Sequence, residues 1–400
     1  MSPQLPEGRA PVSRALRRQR RLVCVYFAVA GFVLALWGSC LPAVQNRLHL
    51  GVGTLSLGLT AAALGMTQGL QIAGRHGDRI GAHRLLRPAA LALLAALASL
   101  GLASDLPAFL GACGLLGFSH GALDVSMNVT ATRCQWAYGR PIMQSVHGVY
   151  SIGALGGALT AAATAGMDLG TVVTFTAVAA VAATVLLTLP GAASVEAACQ
   201  PSVTPGRGPS SGRGLPRPIL VLSAVAACSL LGEGAAADWS AVQMHSTAHA
   251  DTAMSATAYA CYSAAMALCR FTGDRLTRTL GPVRLVRAGG LLAACGLGAS
   301  LLFPHPLLGL LGWALFGAGL AAVVPSAITA AASVRPERAG QDIAWVSSAG
   351  YLGMVIGPAA IGALASATNL TTALTLPAAL ALAVTAAAGS VRPQRLENPA

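Results

Sequence analysis

"GRHGDRIGAHRLL", residues 74 to 86, gathers Arg75, His76, Asp78, Arg79, His83 and Arg84 into one short stretch. The chain around it is oily: of 400 residues, 55% are hydrophobic and only 10% are charged. Mean hydropathy is +0.66. A soluble protein of this length needs polar cover that this composition does not supply. Apolar runs of about 20 residues, enough to cross a hydrocarbon core of roughly 30 Å, recur on both sides of the stretch. It therefore reads as a polar turn between two membrane spans.

Working outward gives twelve such runs. The first six cover 22–45, 53–73, 85–104, 107–132, 141–166 and 171–190; the second six cover 218–244, 252–271, 285–303, 307–333, 342–366 and 371–390. Helix is the expected state, because a lipid-facing strand leaves backbone groups unpaired. Residues 191–217, rich in Pro, Gly and Ser, read as a flexible linker between bundles 22–190 and 218–390. Tails 1–21 and 391–400 look disordered and complete the division. The expected fold is an all-α membrane protein of twelve transmembrane helices in two six-helix bundles.

Net charge is +12, all of the basic residues being Arg. No aromatic-interleaved basic patch accompanies them, so nucleic acid is not an expected partner. Placing both termini in the cytoplasm leaves only Arg47 of 25 Arg on the outer side. The expected location is a bacterial inner membrane. The nine Cys show no C-x-x-C pair and lie mostly in apolar runs, which argues against a disulfide framework or a metal site. Without Lys there is no G-x-x-x-x-G-K-[ST] loop, so ATP-driven transport by this chain is not expected, and no cofactor is implied.

The second half echoes the first. "GDRIGAHRLLRPAALALLAALASLGLAS" (77–104) aligns with "GDRLTRTLGPVRLVRAGGLLAACGLGAS" (273–300). Repeated membrane bundles point to a carrier whose halves rock about a central site. The pattern Gly74-x-x-x-Asp78-Arg79-x-Gly81-x-x-Arg84 resembles the loop signature of the major facilitator superfamily, with Asp274 and Arg275 in a degenerate second copy whose glycine is delayed to Gly281. The resemblance implies that this loop gates the two halves. Physically, Gly74, Gly77 and Gly81 permit turns, the arginines fix topology, and Asp78 is placed to meet an Arg or a helix N-terminus. "ALDVSMNVTATRCQWAYGRPIMQSVHGVYSIGALGGA" (122–158) and "EGAAADWSAVQM" (233–244) further resemble a bacterial subgroup nearer sugar permeases than drug exporters.

Ionisable residues inside spans point to a transport path, because they are costly unless they face the bundle interior. In span four, His120, Asp124 and Asn128 stand at i, i+4 and i+8 and form one stripe; in span five, Gln144, His147 and Ser151 stand at i, i+3 and i+7. The short connection makes these helices antiparallel neighbours whose stripes are expected to meet. His120 alone is most simply a structural hydrogen-bonding group. In span seven, Glu233 and Asp238 cost about 5–7 kcal/mol on the insertion scale, more than the roughly 2–4 kcal/mol returned by the Leu and Val residues before them. They lie about 140° apart around the helix, so only one, the deeper Glu233, is expected to line the cavity. Trp37, Trp239, Tyr26, Gln68, Gln71, Tyr259 and Tyr262 are weaker substrate contacts, Pro325 a kink, and Asp342 a helix N-terminal acid. No catalytic cluster accompanies them. The sequence thus points to a monomeric secondary transporter, proton-coupled through Asp124, His147 or Glu233, carrying a small polar, sugar-like solute. The alternative is a proton-coupled exporter of drug-like or secondary-metabolite molecules.

Overall fold

A computed structural model describes residues 13–189, 215–248, 250, 254–255 and 257–393. The first half holds α1 (Arg14–Arg47), α2 (Val52–Ile80), α3 (His83–Leu102), α4 (Leu106–Tyr138), α5 (Met143–Gly166) and α6 (Thr171–Thr188). The second holds α7 (Arg217–Ser246), α8 (Ala258–Leu280), α9 (Pro282–Leu302), α10 (Pro306–Leu320), α11 (Val323–Val334), α12 (Ala339–Ala367), α13 (Leu370–Ala373) and α14 (Thr375–Ala387). The tenth span is α10 plus α11, and the twelfth is α13 plus α14. Among the described residues there is no strand.

Local chemistry sets the ends. Ser13 accepts from the Leu16 amide at 3.2 Å, and Asp105 from Ala108 at 2.8 Å, capping α1 and α4. Among the described residues, ten segments are long and apolar enough to cross a membrane; α2 and α8 are 29 and 23 residues long but too polar. Those two helices run along the seams between the halves, where polar side chains meet protein instead of lipid. Leu155, Leu159, Val181, Leu187 and Leu352 stand exposed on other helices, as a lipid-facing surface requires.

The packing obeys a pseudo-two-fold. In the first half α1 packs on α5, α2 on α4, and α3 on α6; in the second α7 packs on α12, α8 on α10, and α9 on α14. The same exchange relates the seams, α2 against α12 and α5 against α8. Glycines permit close approach at matching places in the two halves: a Cβ on Gly153 would lie 2.2 Å from the Ala28 carbonyl oxygen, and one on Gly353 2.4 Å from that of Ala227.

Several expectations are corrected. The stretch around "GDR" is not a turn: α2 continues through Asp78 and Arg79, and the chain reverses at Gly81, at φ +94°. Gly281, at φ +79°, ends α8 in the same way, so the delayed glycine of the second copy adds one helical turn. Residues 14–21 are helical, docked through buried Leu16 and Gln19, where a disordered tail was expected. Spans four and five are not packed neighbours along their length; α4 lies mainly on α2 and α3, while α5 lies on α1. The expected linker falls largely outside the described residues, as do 394–400.

Candidate functional site

The arginine-rich end of the molecule is closed by two matching contacts. Helix α12 opens without a side-chain cap of its own, and so does α5. Each receives a carboxylate from the opposite half, and at α5 Gln135 Oε1 also accepts the Ile142 and Met143 amides at 2.8 and 3.1 Å. Asp78 accepts the Gly340 amide on Oδ1 at 2.7 Å and the Gln341 amide on Oδ2 at 3.0 Å. Asp274 accepts the Gln144 and Ser145 amides on Oδ1 at 3.0 and 3.3 Å. A helix N-terminus offers unpaired N–H groups and a positive dipole end, so a carboxylate is the natural partner. Loss of water pushes both carboxyls up from the ordinary range, opposed by these hydrogen bonds and by Arg133 near Asp78 and Arg20 near Asp274.

Glycine makes the first contact possible. A Cβ on Gly74 would stand 2.6 Å from the Gly340 carbonyl oxygen, and one on Gly340 2.5 Å from that of Gly74. Behind it, Asp342 is not a free N-terminal acid: it is fully buried and paired with Arg335, whose Nε stands 3.1 Å from Oδ2. Arg20 reaches the second contact and donates to Ser145 Oγ at 2.8 Å. Arg79, Arg84 and Arg275 remain exposed.

Deeper rungs join the same seams. Gln71 donates to Ser348 Oγ at 3.2 Å, and Gln144 Nε2 to the Ala322 carbonyl at 3.3 Å. That carbonyl lies in the break between α10 and α11, where it also accepts the Ser326 amide at 3.2 Å. Gln144 thus belongs to the closed end and not to a polar stripe shared with span four.

Near the middle of the spans a polar chain crosses both halves. Asp124, 5% exposed, accepts from Asn128 Nδ2 at 3.2 Å and from the Tyr351 hydroxyl of the other half at 3.4 Å, with Ser347 a further hydrogen-bonding neighbour. Asn128 Oδ1 faces His147 Nε2 at 3.2 Å, and the His147 ring stands edge-on to Phe27. One turn along α5, Ser151 accepts from Arg270 Nη1 at 3.0 Å, while Arg270 Nη2 is paired with Glu233 at 3.1 Å. The stripes of spans four and five therefore touch only through Asn128 and His147. His120 is buried beside the Tyr351 ring, and neither of its nitrogens has a hydrogen-bond partner among the described residues. Asp238 is exposed, apart from this chain. Tyr259 is exposed and stacks on buried Tyr262, with ring centroids 5.9 Å apart. Tyr26 is buried next to Arg87, so it does not face a cleft.

Arg270 is the residue that sequence reading misses, because an arginine at the end of the apolar run 252–271 reads as a topology signal. Helix α8 continues to Leu280, more than two turns further, which moves Arg270 into the protein. Tyr351, Ser347 and Ser348 carried no signal, because single hydroxyls in an apolar run look like packing residues.

The sequence model of the Major Facilitator Superfamily matches residues 221–399. Over 363 residues the chain is 32% identical to an uncharacterized transporter, y4wD, of Sinorhizobium fredii, covering 89% of this chain and 94% of that one. The chain belongs to the major facilitator superfamily. It is thus a multi-pass membrane transporter and not an enzyme. Solved members share the fold. The fucose:proton symporter FucP of E. coli superposes with a TM-score of 0.75 at 14% identity, covering 95% of this chain and all of that one. The human organic anion transporter MFSD10 gives 0.73 at 17%, covering 93% and 99%.

Proposed function

We propose that this chain carries a small polar, sugar-like solute across a bacterial inner membrane by alternating access, coupled to protons through Asp124. The observation that supports this most is the setting of Asp124. Its carboxyl is buried at mid-span, its partners Asn128, Ser347 and Tyr351 are all neutral, and Tyr351 and Ser347 belong to the other half. A carboxylate there has no cation to balance it, so proton uptake removes a charge that is costly to keep in low dielectric. Protonation also changes what Asp124 accepts from the opposite half, which ties its charge to the contact between the bundles. Asn128 and His147 extend the chain from Asp124 toward Arg270 and Glu233.

On this reading the arginine-rich face is cytoplasmic, both termini lie there, and the closed end of the molecule is the cytoplasmic one. The exposed face of Tyr259 offers a stacking surface for a sugar ring. The fucose:proton symporter among the similar folds is consistent with that chemistry. The test is proton movement in proteoliposomes loaded with a pH-sensitive dye, challenged with sugars, sugar acids and lipophilic cations. One class should drive acidification of the lumen as it enters, and Asp124→Asn should abolish uphill accumulation while leaving solute exchange intact. Full accumulation in Asp124→Asn would refute the proton assignment.

A further inference from the structure

Helix α1 is 34 residues long, about 51 Å at 1.5 Å per residue. Its apolar part, from Leu22, spans roughly 36 Å, already more than the hydrocarbon core of about 30 Å. The preceding Arg14–Arg21 segment adds two turns, about 12 Å, and this register sets it in the headgroup layer, since core and headgroups together measure about 40–45 Å.

The two faces of this segment differ sharply. Leu16 and Gln19 are buried, and Leu16 packs with Cys134, Tyr138 and Ile142 at the junction of α4 and α5. Arg20 lies on the protein side as well, donating to Ser145 Oγ and standing 5.9 Å over the Tyr138 ring. This docking fixes the rotation of the helix. Arg14, Arg17, Arg18 and Arg21 then fall at i, i+3, i+4 and i+7, one stripe, and all four are exposed. Helix α1 contains no acidic residue to answer them. The helix N-terminus adds its own positive end to the same turn.

We infer that the Arg14, Arg17, Arg18 and Arg21 stripe is a binding surface for the headgroups of anionic phospholipids. Guanidinium groups match phosphate in bidentate fashion, and a stripe at headgroup depth meets lipid phosphate without any movement of the protein. Occupancy has a consequence for gating. Lipid holds the extension against α4 and α5, and so keeps Arg20 on Ser145, beside the Asp274 contact that closes the arginine-rich end. The binding claim needs only the membrane register of α1 and is independent of the substrate and proton reading.

The test uses the full chain in nanodiscs of phosphatidylcholine with increasing phosphatidylglycerol, reading the immobilised fraction of spin-labelled phosphatidylglycerol against spin-labelled phosphatidylcholine. Wild type is expected to prefer the anionic lipid by on the order of tenfold or more, and to lose most of that preference in 1 M salt, where screening shortens to about 3 Å. Arg→Gln at all four positions should remove most of the preference, while Arg→Lys at the same four, which keeps the charge without the bidentate fork, should keep part of it. Arg275→Gln with Arg278→Gln, at the same end of the molecule, should leave it unchanged. A wild type without preference overturns the inference, and this arm needs no variant to fold. Equal loss in the Arg275/Arg278 variant also overturns it, since the charge of the whole face would then be responsible. Hydrogen exchange at the Gln144 and Ser145 amides should slow with anionic lipid in wild type and not in Arg20→Gln; unchanged exchange in wild type refutes the link to gating.

Discussion

Removing the charge from the two capping aspartates should open the arginine-rich end by unequal amounts. Asp78 uses both carboxylate oxygens, one amide each, at 2.7 and 3.0 Å. Asp274 uses a single oxygen for two amides at 3.0 and 3.3 Å. Hydrogen bonds to charged groups contribute about 1.5–3 kcal/mol each, and Asn keeps one acceptor while turning an NH2 group toward an amide N–H. The closed state of Asp78→Asn should therefore lose about 2 kcal/mol, and that of Asp274→Asn about 1 kcal/mol. With tenfold per 1.4 kcal/mol, the closed-to-open ratio falls roughly 30-fold and 5-fold. The two contacts share no partner, so the double variant should approach the product, on the order of 150-fold. Spin labels at exposed Arg75 and Glu337, on opposite sides of the α2–α12 seam, report the opening as a longer distance population in a cysteine-free background. An unchanged distribution in folded Asp78→Asn would refute the role given to the cap. A larger effect from Asp274→Asn would refute the weighting by geometry.

Three further outcomes follow from the same contacts. Glu233→Leu strands the buried Arg270 guanidinium with Ser151 alone and should cost about 3–5 kcal/mol, seen as a lowered unfolding temperature that Glu233→Leu with Arg270→Met largely restores. Arg335→Gln leaves fully buried Asp342 without its cation and should destabilise by a similar amount in the same assay. Gly74→Val places a side chain where a Cβ alone lies 2.6 Å from the Gly340 carbonyl oxygen. The Arg75–Glu337 distance should then stay in its open population, with the unfolding temperature little changed; a closed population in this variant would contradict the steric argument.

How far the sequence reaches can be argued from individual residues. The twelve spans are legible because each must cover the same hydrocarbon thickness, and the two-bundle repeat because Asp78 and Asp274 sit at the same place in each half. Pairings between helices are not legible. His120, Asp124 and Asn128 form a stripe by simple periodicity, yet nothing in that periodicity says that Tyr351, more than 200 residues away, faces Asp124, or that α5 lies on α1 instead of α4. Those facts depend on which ridges fit which grooves, a property of two helices at once. Helix ends are a second blind spot, with consequences for the site. An arginine near a membrane boundary satisfies topology equally well as the last residue of a span or as one turn of a longer helix. Two extra turns of α8 separate an Arg270 that marks a boundary from one paired to Glu233 inside the protein. The same ambiguity hides Asp78: read as a loop residue it has many possible partners, whereas on a helix that runs to Ile80 it has a fixed direction, toward the uncapped start of α12. In this chain the contacts that close the arginine-rich end arise where helices outlast their apolar runs, which is where hydropathy stops carrying information.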